Sequence, residues 1–427
     1  MSAQLVLSDG KGQIFVHPTL KLLGFDGVAY RQPAPEELVN LPKGSTLFFM
    51  PHHVGIGFDQ EANGEVCVEE FGGRKVFAVS AFMVPGYTRL YLPAALKRKK
   101  DLILPLWPYT AVGWKKGRFC VCAAKVDSMR RQMPFYYQCE ALIKKQAGLF
   151  LKKFPKNRLI KHLGYCALTY HCRNAQNLFL GRWEAPLPVS PACNAKCLGC
   201  ISSQDSDCLE ASHERIRFVP SVEEIVEIAL VHLRGAREGI VSFGQGCEGE
   251  PLLQFSVIRD AIRLIRQRTR KGTIHLNTNG FHPAHLEELA KAGLDSVRIS
   301  LNSFDEKTYE AYYRPSRYGH CDVLASVAIA KKSGLFVSLN LLTFPGLTDN
   351  SSEVKRLICF LKKGYCDLLQ LRNLSIDPAY LLAKMPVIKG EPLGILALIK
   401  QVKKLDLTQR IGYFNVPKER FVWQKRP

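Results

Sequence analysis

The chain has 427 residues, of which 47% are hydrophobic, 10% aromatic and 23% charged. These fractions exclude a wholly disordered, collagenous or coiled-coil chain, because enough apolar surface is present to build a folded core. The length favours two domains over one. The sequence has no apolar run of about 18 residues and opens without a signal-peptide pattern, which predicts a cytoplasmic protein with no transmembrane segment.

Positive charge is concentrated in one part of the chain. The sequence has 59 lysines and arginines against 38 acidic residues, a formal net charge of +21. Residues 97–161, which we call the basic segment, hold 17 basic and three acidic residues, whereas residues 1–96 hold seven and nine. Such a segment can attract RNA, an acidic protein or anionic lipid, or it can be a solvated face without a partner.

Residues 1–182 are predicted to form a β-rich N-terminal domain with basic helices. Glycines and prolines divide its first part into short apolar runs typical of strands. Residues 134–171 change to a helical spacing of apolar side chains among lysines, and Pro155 is expected to interrupt the helix. The runs that predict strands are GSTLFFMP, GEVCVEEF, RKVFAVSAFMV, TRLYLP and GRFCVCAAKVD, where Cys120 and Cys122 are expected to be small core residues on one strand face.

Residues 183–427 form the second predicted domain. Apolar strands alternate with helical patterns, which indicates βα units and a parallel sheet. Ser221 and Glu224 form a capping box before one helix, and Pro283 and Gly293 mark the ends of another. The predicted strands are residues 185–190, 239–244, 273–278, 296–301, 335–342 and 367–372, and residues 411–427 could add a last strand and a basic tail.

Three of the fourteen cysteines form a tight group directly after the first of these strands. The sequence SPACNAKCLGC places Cys193, Cys197 and Cys200 on one loop. Three thiolates can bind a metal centre and leave one coordination position open for a small molecule, whereas a structural site normally has four protein ligands. A zinc site completed by Cys208 or His213 is the competing interpretation.

The cysteine spacing, in the loop after the first strand, resembles the hallmark of the radical S-adenosylmethionine (SAM) superfamily, and the resemblance covers about residues 183–372. It implies an α/β fold with a partial (β/α)6 barrel, here preceded by the β-rich N-terminal domain. It also implies that Cys193, Cys197 and Cys200 ligate an oxygen-sensitive [4Fe-4S] cluster. SAM would chelate the fourth iron, and its reductive cleavage would give a 5′-deoxyadenosyl radical for hydrogen abstraction. Gly199 departs from the family, because the position before the third cysteine is often aromatic.

The ends of the later strands carry residues that resemble SAM-binding positions. The segment Gly249-Glu250-Pro251 is similar to the Gly-Gly-Glu-Pro segment that holds the SAM amino group, although Glu248 replaces its first glycine. For a polar residue taken singly, turn or cap chemistry is the alternative. The resemblance implies SAM contacts for Gly249, Glu250, Asn279, Ser300, Asn302 and Asn340, and Arg314 is a weaker candidate for a carboxylate contact.

The remaining cysteines show no second ligand pattern. Cys247, beside the Gly-Glu-Pro segment, either faces the substrate or is simply buried. The last cysteine is Cys366, so the sequence lacks a cysteine-rich C-terminal extension of the kind found in superfamily members that act on peptides. An auxiliary cluster would need cysteines whose spacing matches no ligand pattern, namely Cys139, Cys166 and Cys172 with Cys120, Cys122 or Cys208.

The leading functional interpretation is a radical SAM enzyme that modifies a macromolecule, either RNA or a protein, because the basic segment can supply phosphate contacts. Two alternatives stay open. One is a radical SAM enzyme acting on a small metabolite, and the other is a non-enzymatic, zinc-stabilised nucleic-acid-binding protein. An enzyme of this class needs an electron donor such as flavodoxin or ferredoxin. The residue that steers the substrate radical is not identified by the sequence.

Overall fold

The computed structural model describes residues 2–204, 209–387, 390–405 and 410–421. Its N-terminal part is rich in β structure, with an 11-stranded antiparallel sheet and smaller sheets of three and two strands. The strands are β1 (Gln4–Ser8), β2 (Ile14–Leu22), β3 (Gly24–Phe25), β4 (Tyr30–Arg31), β5 (Leu38–Asn40), β6 (Thr46–Phe49), β7 (His53–Asp59), β8 (Gly64–Val68), β9 (Glu70–Phe71), β10 (Arg74–Lys75), β11 (Phe77–Phe82), β12 (Tyr87–Arg89), β13 (Leu92–Pro93), β14 (Ala95–Lys97), β15 (Thr110–Lys115) and β16 (Arg118–Lys125).

Strand β1 lies inside the large sheet, where it pairs with β2, β11 and β15. Its apolar side chains alternate between two faces, with Leu5 and Leu7 in one cluster and Val6 in another. Both faces of this part of the sheet are therefore covered. Each of the five predicted runs contains at least one strand, and Cys120 and Cys122 of β16 are buried as predicted.

Three helices follow the β-rich part: α1 (Glu140–Lys153), α2 (Arg158–Leu168) and α3 (Arg173–Phe179). The break between α1 and α2 contains Pro155, as predicted. Asn157 caps α2 because its side-chain oxygen accepts a hydrogen bond from the N–H of Ile160 at 2.9 Å. The lysines of these two helices are exposed, namely Lys144, Lys145, Lys152, Lys153, Lys156 and Lys161.

The apolar face of α1 is narrower than the sequence spacing indicates. Ile143 and Ala147 are buried, whereas Leu142 and Leu149 are exposed. Ile143 and Ala147 are four residues apart, so they lie one above the other on the side that packs against the neighbouring helices. Leu142 and Leu149 belong to the helical spacing of apolar side chains in residues 134–171 that suggested a core-facing side, but they do not face the core.

The second part of the chain is an α/β unit built on a seven-stranded parallel sheet whose strands follow chain order. The sheet contains the six predicted strands and adds a seventh, β23, at the start of the predicted C-terminal strand. No helix in the described ranges is both long enough and apolar enough to cross a bilayer. The elements are β17 (Glu184–Pro186), α4 (Val222–Gly235), β18 (Ile240–Phe243), α5 (Phe255–Arg268), β19 (Thr273–Thr278), α6 (Pro283–Ala292), β20 (Ser296–Leu301), α7 (Glu306–Tyr313), α8 (His320–Lys332), β21 (Phe336–Thr343), α9 (Ser351–Leu361), β22 (Leu368–Asn373), α10 (Pro378–Lys384), α11 (Ile395–Lys403) and β23 (Arg410–Gly412).

Local sequence signals set several of these boundaries. Ser221 accepts a hydrogen bond from the N–H of Glu224, and the Glu224 carboxylate accepts one from the N–H of Ser221, which is the predicted capping box of α4. Helix α6 begins at Pro283 and ends at Gly293, whose φ of 112° requires a residue without a Cβ. Helix ends are thus determined by residues within one turn.

The β-rich part is joined to the parallel sheet through a buried arginine. Arg89 of β12 has 0% exposure, and its guanidinium donates hydrogen bonds to the carbonyl oxygens of Tyr109, Thr343 and Leu374. Thr343 ends β21 and Leu374 follows β22, so the contact lies at the carboxyl ends of two parallel strands. The ring of Phe344 lies 5.1 Å from the guanidinium carbon.

Replacing this arginine is expected to weaken the joint between the two parts. Arg89→Met keeps much of the side-chain volume but removes the guanidinium donor from the buried carbonyl oxygens of Tyr109 and Leu374, which costs about 1–3 kcal/mol for each group. The carbonyl oxygen of Thr343 keeps its hydrogen bond from the N–H of Leu374. We expect the free energy of unfolding to fall by about 3 kcal/mol, measured by urea denaturation. Arg98→Met, at an exposed ion pair with Glu69, is the matched control and should change it by less than about 1 kcal/mol.

Candidate metal and cofactor site

The three clustered cysteines lie on the loop after β17, where the end of α7 holds the loop. The N–H of Lys196 donates to the carbonyl of Tyr313 at 3.1 Å, and the N–H of Leu198 donates to that of Tyr312 at 3.0 Å. The loop thus runs beside the backbone of α7 on both sides of its second cysteine, Cys197. Cys193, Cys197 and Cys200 are all free thiols of intermediate exposure.

The three sulfurs are not placed as the ligands of a single metal ion would be. Within the described ranges, Cys193, Cys197 and Cys200 do not form a group whose ligand atoms all lie within 4.8 Å of one another, as ligands of one ion would. A cluster is larger than an ion and holds its thiolates farther apart. His213 does not support the zinc alternative, because its Nε2 lies 2.6 Å from the carbonyl oxygen of Gly246 and is engaged in a hydrogen bond there. Cys208 lies outside the described residues.

Burial controls the protonation of these thiols. It raises the pKa of Cys193 to about 11 and also raises the pKa of Cys197, while the positive charge of Arg314 acts in the opposite direction at Cys197. Without metal the two groups are therefore thiols, and metal binding has to release their protons. Arg314 itself is exposed at the end of α7, in the left-handed region with φ of 46°.

Cys200 has a cationic neighbour that the sequence did not point to. The guanidinium Nη2 of Arg215 lies 3.7 Å from Cys200 Sγ, and its Nε donates to Ser202 Oγ at 3.3 Å. A donor so close to a thiolate partly neutralises its negative charge. No local motif marks Arg215, which lies 15 residues after Cys200 on the same connection between β17 and α4.

Glu248, which replaces the expected first glycine, joins two strand ends. Its buried carboxylate accepts hydrogen bonds from four backbone N–H groups. Two belong to Val189 and Ser190 after β17, and two belong to Gly244 and Gln245 after β18. Burial raises the pKa of Glu248 to about 8, and the four N–H groups act in the opposite direction. The departure from the Gly-Gly-Glu-Pro pattern therefore has a structural role.

Gly249 and Glu250 bring the second strand end against the cysteine loop. The N–H of Gly249 donates to the carbonyl of Ser190 at 2.7 Å, and that of Glu250 donates to the carbonyl of Ala192 at 2.9 Å. A Cβ at Gly249 would lie 1.9 Å from the Ala192 oxygen, so only glycine fits. Burial raises the pKa of Glu250 to about 7.

The carboxylate of Glu250 points at the end of the third strand. It accepts hydrogen bonds from Thr278 Oγ1, from the N–H of Asn279 and from the N–H of Leu252. Asn279 in turn donates from its side-chain amide to Asn194 Oδ1 at 2.7 Å, between the first two cysteines. Glu250 and Asn279 therefore tie β19 to the metal-binding loop.

The three polar residues predicted on the fourth and fifth strands lie near one another. Strand register pairs Ser300 with Asn340, so their side chains share one face of the sheet. Asn302 follows β20 and is 8% exposed. The Oδ1 atoms of Asn302 and Asn340 are buried and have no hydrogen-bond partner among the described residues. Orphaned buried acceptors are rare in folded proteins and mark places where a ligand N–H or O–H can bind.

Aromatic rings from α7 occupy the space beside Gly199. A Cβ at Gly199 would lie 2.9 Å from the hydroxyl oxygen of Tyr312. Tyr312 is 2% exposed, and its ring packs edge-on against that of Tyr313, which stacks on Tyr309. The aromatic group that the family often places before the third cysteine is thus supplied here from a different element.

A polar network closes the sheet interior below these strand ends. Glu184 of β17 accepts hydrogen bonds from Ser242, Gln245 and Asn415. The side-chain amide of Gln370 donates to Asn415, and its oxygen accepts from the guanidinium of Arg298. These groups bind one another, so they stabilise the sheet interior below the strand ends.

Comparison with known proteins identifies this region. The sequence profile of the radical SAM superfamily matches residues 187–358. GTP 3′,8-cyclase 2 of Mycobacterium tuberculosis is 34% identical over 209 residues, which cover 47% of this chain and 53% of that protein. The GTP 3′,8-cyclase of Erythrobacter litoralis is 29% identical over 180 residues, covering 40% and 48%. The chain thus spans about half the length of the curated relatives it matches.

Solved structures give a weaker likeness. The crystal structure of Streptococcus suis SuiB bound to precursor peptide SuiA has a TM-score of 0.40 at 15% identity, covering 64% of this chain and 62% of that one. This score is too low to bear on function. The profile match, together with the three cysteines and the parallel sheet that carries them, shows that residues 187–358 form a radical SAM domain.

Proposed function

We propose that this protein is a radical SAM enzyme that abstracts a hydrogen atom from a small molecule. Proteins of this superfamily use a [4Fe-4S] cluster and SAM, which together supply a 5′-deoxyadenosyl radical. The observation that carries the proposal is the cysteine loop held against polar strand ends, where Asn302 and Asn340 keep buried, unpartnered oxygens. The donor set of three thiols fits the cluster.

We assign metal binding, SAM binding, positioning and the exclusion of water to different residues of the chain. Cys193, Cys197 and Cys200 would bind the metal centre, and Arg215 would offset charge at Cys200. Gly249 and Ser300 would lie along the SAM site, where Asn302 and Asn340 would accept hydrogen bonds from its polar groups. Glu250 and Asn279 would act mainly by positioning the third strand end, because their polar atoms already bind protein groups. The tyrosines of α7 would exclude water.

A small substrate is better supported than the macromolecule that the sequence analysis favoured. The matched relatives are named for GTP, so GTP is the first compound to test. The β-rich part contacts the ends of β21 and β22 through Arg89. We propose that residues 1–182 form a domain that closes this edge. The family match also leaves the non-enzymatic zinc interpretation without support.

The decisive experiment is anaerobic reconstitution with iron and sulfide, followed by a SAM cleavage assay with a strong chemical reductant. We expect 5′-deoxyadenosine to form, and its rate to rise when GTP is added. Cys197→Ala should reduce the product to background, whereas Cys321→Ala, at an exposed thiol, should leave it unchanged. The proposal would be refuted if the protein bound zinc in place of iron and did not cleave SAM. If SAM were cleaved but no small nucleotide stimulated the cleavage, only the choice of GTP as the substrate would be refuted.

The orphaned asparagine oxygens lead to a prediction about SAM affinity. Asn340→Ala removes one acceptor from the proposed site, and a hydrogen bond of about 1.4 kcal/mol corresponds to a tenfold change in affinity. We expect the Kd for SAM of the reconstituted protein to rise about tenfold, measured by equilibrium binding. Gln60→Ala, on an exposed turn, is the control. An unchanged Kd in both Asn340→Ala and Asn302→Ala would remove these residues from the site.

The exposed lysines of α1 and α2 support a role in binding the electron donor. They lie on the outer helices and not at the strand ends, so an acidic donor such as a flavodoxin or ferredoxin could dock without blocking the substrate. We expect the combined change of Lys144, Lys145, Lys152 and Lys153 to Glu to raise the KM for the donor about tenfold. Activity with a chemical reductant should stay unchanged, and an equal loss with both reductants would contradict the assignment.

A further inference from the structure

A second group of metal-ligating side chains, two of them buried, lies outside the cysteine loop. His162 and Cys166 belong to α2, and Cys247 belongs to the loop after β18. Nε2 of His162 lies 3.6 Å from Sγ of Cys166. The ligand atoms of all three residues lie within 4.8 Å of one another. We propose that His162, Cys166 and Cys247 bind one thiophilic divalent metal ion of the zinc class, separate from the cluster site.

The backbone holds these ligands in place from both sides. His162 and Cys166 are four residues apart in a helix, so their side chains lie on the same face. The helix is capped at Asn157 and packs into the core through buried leucines. On the other side, the carbonyl of Cys247 accepts a hydrogen bond from the N–H of Ile216 at 2.8 Å. The three ligands therefore need no large backbone movement to converge.

The distances match a tetrahedral ion. Zinc binds thiolate sulfur at about 2.3 Å and imidazole nitrogen at about 2.0 Å, so two tetrahedral ligands lie about 3.5–3.8 Å apart. The 3.6 Å between His162 and Cys166 falls within this range. Small side-chain rotations can bring Cys247 to the same separation. Three protein ligands leave a fourth position for a solvent molecule.

The chemistry of the group also suits a soft divalent ion. Cys166 is 1% exposed and Cys247 is 5% exposed, so both sulfurs are shielded from water and oxidants. Thiolate and imidazole together select zinc over magnesium or calcium, which prefer oxygen ligands.

The position of the group gives the ion a structural consequence. Cys247 directly precedes Glu248, which clamps the first two strand ends, and lies close to Glu250. An ion bound to both Cys247 and α2 would fix the helical part of the chain to the loop that positions the SAM site. This inference does not depend on the proposed substrate, since it concerns residues outside the cluster and SAM sites.

Metal analysis of the anaerobically reconstituted protein tests the site. We expect about one zinc per chain in addition to the cluster iron, and a sulfur-to-metal charge-transfer absorption when cobalt replaces zinc. Cys166→Ser and Cys247→Ser should lower zinc affinity at least about 100-fold and abolish that absorption, because each removes a direct ligand. His162→Gln keeps both thiols but removes the imidazole ligand, so it should also lower zinc affinity.

Matched controls separate this site from the cluster and from misfolding. Cys321→Ser and Cys359→Ser change exposed thiols and should keep the full zinc content. The ligand variants should keep their cluster iron, which shows that the fold is intact. Unchanged zinc binding in His162→Gln and Cys247→Ser would overturn the proposal. A Cys166–Cys247 disulfide without metal, found by mass spectrometry of anaerobic protein, would overturn it as well.

Discussion

Gly249→Ala is expected to abolish cluster assembly. The added Cβ would lie 1.9 Å from the carbonyl oxygen of Ala192 and 2.4 Å from its carbonyl carbon, one residue before Cys193. Both atoms belong to the backbone, so the loop must shift to relieve the clash. The two hydrogen bonds that Gly249 and Glu250 make to this loop would then be lost. We expect iron content near zero after reconstitution and a free energy of unfolding lower by about 3 kcal/mol.

Gly148→Ala provides the control for this prediction. Gly148 lies inside α1, and a Cβ there would have no atom within 4 Å. Because glycine destabilises a helix interior relative to alanine, the free energy of unfolding of this variant should rise by about 0.5–1 kcal/mol, and iron binding should be normal. Iron content and chemical denaturation measure both effects. Full cluster loading in Gly249→Ala would show that the loop does not approach this strand end as described.

Glu248→Ala is expected to have the largest effect on stability. The variant leaves four backbone N–H groups at the ends of β17 and β18 without their acceptor. Each unsatisfied buried donor costs about 1–3 kcal/mol, and water that enters the cavity reduces the total. We therefore expect the free energy of unfolding to fall by about 4 kcal/mol. Denaturation of the protein without metal isolates this effect from cluster binding.

A graded series tests the mechanism at Glu248. Glu248→Gln keeps one acceptor oxygen, so its loss of stability should be about half that of the alanine variant. Glu223→Ala, at an exposed position in the first turn of α4, should cost less than about 1 kcal/mol. Equal stability of all three variants would contradict the clamp role of Glu248.

Local sequence patterns were sufficient to predict many of the strands and helix ends. The predicted strand 296–301 coincides with β20, and the predicted helix ends at Ser221 and Gly293 are the observed ones. These features depend on side-chain alternation or on contacts within one helical turn. The strand after residue 183 is shorter than predicted, because the chain leaves the sheet early to form the cysteine loop. The short strand β23 has too few residues for a periodic signal.

The cluster ligands could also be inferred from the sequence, because three closely spaced cysteines on one loop need no tertiary information. The surroundings of the loop could not. Tyr312 beside Gly199 and the hydrogen bond from Asn279 to Asn194 join elements far apart in the chain, and Arg215 meets Cys200 from 15 residues further along the same connection. Their pairing depends on how loops pack above the sheet, and no spacing rule encodes that packing.

The sequence alone therefore indicated the resemblance to the radical SAM superfamily, the alternation of strands and helices, and the three cysteines proposed as metal ligands. The contacts of Glu248 and the approach of Cys166 to Cys247 could be read only from the folded structure. Cys166 and Cys247 have no common motif, yet α2 and the loop after β18 place them with His162. The physical reason is the range of the interactions: caps and alternation act between near neighbours, whereas ligand groups form where distant elements share a buried space.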